Sequence, residues 1–273
     1  MQALCKRVFV IGLDGAVGKS VREADTPNVD RIASQGVITY SGTSVYPSAS
    51  FEAWGAMFHG VGPEKHKLNG ENPISEDAPW PSFMKVIKQN QPDIICASFS
   101  CWGPINTHII EKSCNCHCES MPDPDLTDAA VGYIRKSPPH VFFMQLDFID
   151  GAGHSQGYGT EKYMKQISIT DKLLGKVLDT VQDAGVFDES LFILLSDHGG
   201  KDTSHGGDNP ESMNIFWACS GPGVNSGVEL KNPVNIMDTG AVITYAFGLN
   251  RPKAWDGKIP QGIFINPIKD RSG

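Results

Sequence analysis

The sequence predicts an α/β protein with a single doubly wound, mostly parallel sheet and helices on both of its faces. Strand-like and helix-like segments alternate along the chain, without internal repeats or a break in composition. The strand-like segments are continuous apolar runs, which is typical of strands buried on both faces. Three of these runs lead into an acidic residue and a glycine. In parallel α/β sheets, functional residues lie at the carboxyl ends of the strands, which is where these acidic residues are expected. We expect one domain over residues 1–273.

The predicted strands follow from the apolar runs. They lie at residues 8–13, 37–45, 93–99, 140–146, 191–196 and 215–219. Two segments between elements are predicted to be loops, namely 62–81, which is rich in Gly, Pro and Asn, and the polar stretch 199–207.

The predicted helices are placed by capping residues and by apolar spacing. Thr26 and Pro27 are typical of a helix start, and Gly36 is typical of its end. Apolar residues at helical spacing predict a long amphipathic helix over 160–185. The other predicted helices cover 51–58, 80–89, 125–136 and 236–247.

Composition argues against several classes of partner. The formal net charge is −8 and there is no run of Lys or Arg, so we expect no nucleic-acid partner. No apolar stretch approaches the ~20 residues of a bilayer span, so we expect no membrane partner. The apolar run near the N-terminus is short and leads directly into the first strand, and the seven cysteines are an odd number. Both features favour a cytoplasmic protein without a disulfide framework.

Two stretches are similar to known motifs but depart from them. Residues 15–20 (GAVGKS) are similar to the end of a phosphate-binding loop, but that motif needs glycine where this chain has Leu13. Cys114, Cys116 and Cys118 are spaced more closely than the paired cysteines of zinc motifs. We expect residues 114–118 to form a mobile surface loop with free thiols rather than a structural zinc site.

Carboxylates and imidazoles recur at the predicted carboxyl edge of the sheet. The candidate metal ligands are Asp14, Asp150, His154, Asp197, His198 and His205. Residues 150–154 (DGAGH) are predicted to be a Gly-rich loop whose flexibility lets the carboxylate and the imidazole reach one ion. A single Asp or His at a strand end is usually a capping group, but six at one edge favour metal binding.

The ligand types predict which metals bind and what they do. Mixed carboxylate and imidazole ligands suit zinc, with manganese or iron as alternatives, better than calcium or magnesium. Six ligands fit two catalytic sites of three. Two divalent metal ions ~3.5–4 Å apart would clamp the attacking and leaving oxygens of a phosphoryl displacement. We therefore expect a small-molecule phosphate ester as substrate.

Ser50 is the candidate nucleophile. It lies at the N-terminus of the predicted helix 51–58, where backbone N–H groups favour a negative oxygen. A hydroxyl between two divalent ions is deprotonated near neutral pH and needs no general base. The alternative is that Ser50 is only a helix cap.

Seven short motifs in one order resemble the alkaline phosphatase superfamily, and within it the type I phosphodiesterase/nucleotide pyrophosphatase branch. They are GLDG at 12–15, TPN at 26–28, YPSAS at 46–50 with the Trp at 54, GVGPEKH at 60–66, DGAGH at 150–154, SDHGG at 196–200 and SHGG at 204–207. The resemblance covers nearly the whole chain. It implies an alkaline phosphatase-like catalytic domain.

The resemblance also assigns roles to the candidate residues. It implies one metal site from Asp150, His154 and His205 and a second from Asp14, Asp197 and His198. It favours Ser50 over Ser48 as the nucleophile between the sites, and Asp150 over Asp147 as the ligand. For the contact with a phosphate oxygen it favours Asn72, with Asn69 as the alternative.

The resemblance implies a two-step hydrolysis of phosphodiesters or nucleotide pyrophosphates through a phosphoserine. Ser50 is followed by Phe-Glu-Ala-Trp, whereas the branch usually carries Thr followed by Phe-Pro-Asn-His. The segment also lacks the Pro and Arg of the sulfatase motif, and the chain has no room for the cap domain of the related mutases. A phosphomonoesterase and an inactive metal-binding scaffold are the alternatives. The oligomeric state is not predicted.

Overall fold

The computed structural model describes residues 2–266, and its centre is an eight-stranded sheet. The strands are β1 (Arg7–Leu13), β2 (Gly36–Thr43), β3 (Cys96–Ser100), β4 (His117–Glu119), β5 (Val141–Leu146), β6 (Ser190–Leu195), β7 (Asn214–Ser220) and β8 (Val228–Glu229). Their order across the sheet is β4-β3-β5-β1-β6-β7-β2-β8. Strand β7 pairs antiparallel with β6 and β2, and the other pairings are parallel. The predicted mostly parallel sheet is confirmed.

Helices cover both faces of the sheet. They are α1 (Gly18–Glu23), α2 (Pro27–Ser34), α3 (Ser50–His59), α4 (Pro63–His66), α5 (Phe83–Asn90), α6 (Asp123–Lys136), α7 (Phe148–Gln156), α8 (Glu161–Asp183), α9 (Pro210–Met213) and α10 (Asp238–Ala246). One core contains residues of α3, α5 and α10, and the other contains residues of α2, α6 and α8. Successive residues of β1 alternate between these cores, because side chains along a strand point to opposite faces.

The register of the central strands aligns their carboxyl ends. Leu13 of β1 pairs with Leu146 of β5, and Gly12 pairs with Leu195 of β6. The segments that follow β1, β5 and β6 therefore leave the sheet side by side. This alignment brings together three parts of the chain that are more than 40 residues apart in the sequence.

The prediction that residues 150–154 form a Gly-rich loop is wrong, because they lie inside α7. The buried carboxylate of Asp123 accepts hydrogen bonds from the backbone amides of Asp147 and Phe148, both at 2.9 Å, and so caps the start of this helix. Gly153 leaves room for the ring of Tyr158, since a Cβ there would lie 2.4 Å from it. Distant partners thus stabilise a helix that its glycine content disfavours.

Three other predicted segments differ in detail. The loop 62–81 contains the short helix α4, and the helix predicted from residue 80 begins at Phe83, because the Ser82 side chain accepts a hydrogen bond from the Lys85 amide. The segment 114–118 is not simply a surface loop. Cys114 is buried, and β4 pairs with β3.

The seven cysteines carry free thiols, as expected. Within residues 2–266, no helix combines the length and the apolar character needed to cross a bilayer.

Candidate functional site

The six predicted ligands gather in two groups of three at the carboxyl ends of β1, β5 and β6. The inner group consists of Asp14, Asp197 and His198 and is buried. The outer group consists of Asp150, His154 and His205 and is partly exposed. Within each group, one potential ligand atom per residue lies within 4.8 Å of the other two. The grouping is the one that the family resemblance implies.

Two carboxylate oxygens of the inner group are buried without a hydrogen-bond donor from residues 2–266. Asp14 accepts from Trp54 Nε1 at 2.9 Å and from Gln145 Nε2 at 2.8 Å through Oδ2, which leaves Oδ1 unpaired. Asp197 accepts from the Gly15 amide through Oδ1, and its Oδ2 is unpaired. Because an unpaired buried carboxylate oxygen is costly, these two oxygens fit a bound cation.

The histidines are held in the tautomer that a metal ligand needs. Each donates its Nδ1–H to a backbone carbonyl, and a carbonyl oxygen can only accept, so Nε2 of the neutral ring keeps its lone pair. The acceptors are Gly199 O for His198 at 2.8 Å, Thr203 O for His154 at 2.9 Å and Ser48 O for His205 at 3.0 Å. In the inner group, His198 Nε2 lies 3.5 Å from Asp14 Oδ1 and 3.4 Å from Asp197 Oδ2.

Helix α7 aligns the first two residues of the outer group. Asp150 and His154 are four positions apart and so share one helix face, with His154 Nε2 3.2 Å from Asp150 Oδ2. His205 Nε2 lies 3.9 Å from Asp150 Oδ1, which also accepts from the Tyr158 hydroxyl at 2.5 Å. Gly15 adopts a positive φ and passes so close to this carboxylate that a Cβ would lie 2.5 Å from Oδ1. Both the turn and the close approach require glycine there.

Burial makes the two carboxylates of the inner group hard to ionise. It raises the pKa of Asp14 well above its usual range, and the neighbouring Asp197 and Asp150 raise it further. Burial likewise raises the pKa of Asp197 to about 7 and lowers that of His198. The acids and the imidazole thus all favour their neutral forms in the protein alone. A divalent cation would supply the positive charge that holds the carboxylates ionised.

Of the two candidate serines, Ser50 is the one that faces the inner group. Its Oγ lies 3.3 Å from His198 Nε2. Ser48 is fully buried, and its hydroxyl donates to Gly207 O at 2.6 Å. The N-cap of α3 is Ala49, so Ser50 is the first helical residue rather than the cap itself.

The remaining candidates are not members of the two groups. Asp147 belongs to neither, and its Oδ1 accepts from Gln145 Nε2. Asn72 is exposed and has no side-chain hydrogen bond to any residue in 2–266, while Asn69 accepts from the Glu71 amide. The role of Asn72 stays a prediction.

Sequence reasoning missed the residues that hold the ligands in place. Trp54 and Gln145 fix Asp14, and Tyr158 fixes Asp150. Gln145 could have been identified from the sequence, because it is the one polar residue in the apolar run 141–146. A buried polar side chain in such a strand needs a partner, and at a strand end the partner is often a site residue.

The family comparison decides where this chain belongs. The model of the type I phosphodiesterase / nucleotide pyrophosphatase family matches residues 8–78 and 98–253, which include both groups and Ser50. The chain belongs to this family. The recognition of the alkaline phosphatase superfamily from seven short motifs is thereby confirmed.

Solved structures share the fold at low sequence identity. The murine ectonucleotide pyrophosphatase/phosphodiesterase 5 superposes with a TM-score of 0.74 at 14% identity, over 90% of this chain and 96% of that one. A putative sulfatase from Bacteroides thetaiotaomicron superposes with a TM-score of 0.74 at 13% identity, over 98% of this chain and 76% of that one. At this identity the likeness establishes the alkaline phosphatase-like fold alone.

Curated relatives match part of the chain. GPI ethanolamine phosphate transferase 1 of Yarrowia lipolytica is 28% identical over 175 residues, which are 56% of this chain and 19% of the transferase. A 2,3-bisphosphoglycerate-independent phosphoglycerate mutase of Natronomonas pharaonis is 24% identical over 144 residues, covering 51% of this chain and 27% of the mutase. The matched part is therefore about a fifth to a quarter of each relative's length.

Proposed function

We propose that this protein is a metal-dependent phosphoric ester hydrolase that acts on phosphodiesters or nucleotide pyrophosphates with Ser50 as nucleophile. The observation that carries the proposal is the pair of unpaired buried oxygens, Asp14 Oδ1 and Asp197 Oδ2, beside the lone pair of His198 Nε2. The Ser50 hydroxyl lies against this same nitrogen. Membership of the type I phosphodiesterase / nucleotide pyrophosphatase family supports phosphoester chemistry.

The donor set supports two divalent cations, and zinc is the metal we propose, with manganese and iron as alternatives. Asp14, Asp197 and His198 would hold one ion, and the outer group would hold the other. When bound, such ions lower the pKa of a hydroxyl and neutralise charge on transferring phosphoryl oxygens. The Nδ1 hydrogen bonds and the Trp54 and Gln145 contacts orient the ligands in advance.

The position of Ser50 suits it for attack on phosphorus. Its Oγ gives up its proton to solvent and forms a bond to phosphorus while the bond from phosphorus to the leaving oxygen breaks, and the leaving oxygen takes that electron pair. Water then cleaves the phosphoserine and restores the hydroxyl. The first backbone amides of α3 have no partner within the helix and no side-chain cap, so they are free to bind a phosphate oxygen.

The openness of the outer group favours esters with an extended leaving group. The His154 side chain is 45% exposed, whereas the inner group is buried. A leaving group beside His154 can therefore extend towards solvent, while the nucleophile Ser50 faces the buried inner group. Asn72 is proposed to contact a phosphate oxygen, since Gly70, two residues earlier, packs on the ring of Phe51 beside the nucleophile.

Transfer of the phosphoryl group to an alcohol instead of water is the second candidate. Its support is the set of GPI ethanolamine phosphate transferases among the curated relatives, from Yarrowia lipolytica and Saccharomyces cerevisiae among others. The same Ser50 chemistry would serve both reactions, which differ in the acceptor that cleaves the phosphoserine.

Turnover of three chromogenic substrates after loading with zinc or manganese tests the proposal. They are p-nitrophenyl phosphate, bis-p-nitrophenyl phosphate and a p-nitrophenyl nucleotide ester. We expect preference for the two diesters, whereas preference for the monoester would indicate a phosphomonoesterase. Adding glycerol and assaying for glycerol phosphate esters separates transfer from hydrolysis. Two bound ions without turnover of any substrate would favour the inactive scaffold.

The substitution Ser50→Ala tests whether Ser50 is the nucleophile. It should lower kcat by at least about a thousandfold, because it removes the group that forms the covalent bond, and it should leave the bound metal unchanged. Metal content by elemental analysis and burst-phase kinetics are the measurements. Ser48→Ala is the control, since its hydroxyl bonds to Gly207 O. Full activity of the Ser50→Ala variant would contradict the assignment.

A further inference from the structure

A surface groove of about 600 Å³ runs between α7 and α8. The two helices form a hairpin in which only residues 157–160 separate them. Phe148 of α7 and Ile169 of α8 line one end of the groove and are 40% and 42% exposed. Gly151 and Ala152 lie between them, and a Cβ on Gly151 would meet no atom within 4 Å. This end is therefore open and mostly apolar, with Asp147 as the acidic residue that also lines it.

The other end of the α7–α8 groove is positively charged. Lys162 and Lys165 line it near the hairpin turn, and both are exposed. Lys162 Nζ donates to Gln156 Oε1 at 2.9 Å, and neither lysine forms an ion pair with a residue in 2–266. Two unpaired cations beside an apolar surface are notable in a chain with a net charge of −8. They complement an anion attached to an apolar group.

The groove adjoins the candidate active site through helix α7, although none of the six candidate ligands lines it. Helix α7 carries Asp150 and His154 of the outer group on one face, and the adjoining face lines the groove. Ser155 and Gln156, which follow His154, belong to the lysine end of the groove. Asp147 lines the apolar end, and Gln145 Nε2 links it to Asp14 with two hydrogen bonds of 2.8 Å.

We propose that the α7–α8 groove binds the leaving group of the substrate and selects leaving groups that carry a negative charge close to the scissile bond, followed by an apolar or aromatic body. The proposal rests on the proposed hydrolase function, because the leaving oxygen departs beside His154. The charge next to the scissile bond then meets Lys162 and Lys165, and the body beyond it reaches Phe148 and Ile169. A diphosphate diester with an aromatic substituent has this chemistry.

The first test compares two substrates on the metal-loaded full chain. In P1,P2-diphenyl diphosphate the leaving group is phenyl phosphate, whereas in bis-p-nitrophenyl phosphate it is an aryl oxide without a second phosphate. The ratio of the two kcat/KM values measures the selection. The double variant Lys162→Ala/Lys165→Ala should lower this ratio by about tenfold, since two charge contacts to the diphosphate are lost. Lys172→Ala, an exposed lysine of α8 outside the groove, is the control and should leave the ratio unchanged.

The apolar end has its own test. Ile169→Ser should lower kcat/KM for diphenyl diphosphate relative to dimethyl diphosphate by about threefold or more, because the phenyl ring loses an apolar contact. Equal ratios in the wild type and in this variant would show that the body does not lie on Ile169. An unchanged ratio in the double lysine variant would overturn the proposal as a whole.

A binding measurement separates failure of the groove from failure of the proposed function. Calorimetric titration of phenyl phosphate into metal-loaded Ser50→Ala protein reports binding without turnover. We expect the double lysine variant in this background to bind about tenfold more weakly than the Ser50→Ala protein itself. If the wild type turns over neither substrate, the proposed hydrolase function fails. Equal affinities of the two proteins for phenyl phosphate would still overturn the proposal that the groove binds the leaving group. Weaker binding by the lysine variant would still support it.

Discussion

At the scale of single residues, the inner group is defined by polar atoms that have no hydrogen-bond partner among residues 2–266. Asp14 Oδ1 and Asp197 Oδ2 are buried and have no donor among residues 2–266, although the other oxygen of each carboxylate is well bonded. His198 Nε2 faces both oxygens with a lone pair, because the His198 Nδ1 proton is committed to a carbonyl. Three electron-rich atoms around one space repel one another unless a cation or a proton lies between them.

The pH dependence of the stability of the metal-free protein tests whether the buried carboxyl of Asp197 resists ionisation. Burial raises the pKa of this carboxyl from its ordinary value of 3.8 to about 7, so between these pH values the folded state keeps a proton that the unfolded state has released. The stability that Asp197 contributes is therefore present below pH ~4 and is lost as the pH rises to about 7, at about 1.4 kcal/mol per pH unit. Above that pH the contribution is constant.

The measurement compares the metal-free wild type with Asp197→Asn by urea unfolding from pH 4 to pH 8. Taking the difference removes the titration of groups remote from Asp197. The pKa values of Asp14 and His205 are both raised by the Asp197 charge, so the substitution lowers both and their change adds to the same trend. We expect the wild type to lose stability relative to Asp197→Asn as the pH rises. A relative gain would mean that Asp197 is stabilised as a carboxylate without metal.

At the scale of elements, α7 is the piece on which the outer group and the groove both depend. It carries Asp150 and His154 on one face and lines the groove with the adjoining face. Its two glycines and serine-containing end give it little helical propensity, and its start is held by the carboxylate of Asp123 from α6. The geometry of the outer group is thus set by a contact with a different helix.

Substitution Asp123→Ala should both destabilise the protein and loosen the outer group. The loss of two charge-assisted hydrogen bonds to backbone amides costs about 2–3 kcal/mol in the free energy of unfolding. Urea unfolding and the affinity for the second equivalent of zinc are the measurements, and both should fall. Asp125→Ala, an exposed residue of the same helix, is the control. Zinc affinity equal to that of the wild type would show that α7 keeps its position without this cap.

At the scale of the whole molecule, the site joins segments that follow different strands of the sheet. The inner group links the ends of β1 and β6, and the outer group links α7 to the loop that carries His205. His205 in turn is bonded to Ser48 O, just before α3. Metal bound at the two groups would therefore connect both halves of the sequence.

Metal removal should lower the stability of the whole chain as one cooperative unit. A ligand that binds only the folded state adds ~2.7 kcal/mol per site when its free concentration is about 100 times Kd. We expect thermal unfolding in zinc to occur at higher temperature than in a chelator, and Ser50→Ala to keep the full difference. Equal unfolding temperatures with and without zinc would contradict metal binding at these groups.

Much of this architecture could be predicted because its signals are local. Continuous apolar runs identify buried strands, and parallel strands place their carboxyl ends at one edge, so acidic residues after three such runs indicate one site. The sequence identifies Asp150 and His154 by their chemistry but predicts a loop for them, since the glycines of this segment disfavour helix. The contacts that overrule this local preference come from Asp123 and Tyr158, which lie outside the motif.

The sequence by itself determined the fold class, the six candidate ligands, Ser50 as candidate nucleophile and the family. Only the tertiary structure decided that Ser50 rather than Ser48 faces the inner group, that β7 runs against its neighbours, and that Trp54 and Gln145 hold Asp14. It also formed the groove that carries Lys162 and Lys165. The physical reason is that these features depend on distances between residues remote in the chain, and such distances are set by packing rather than by local pattern.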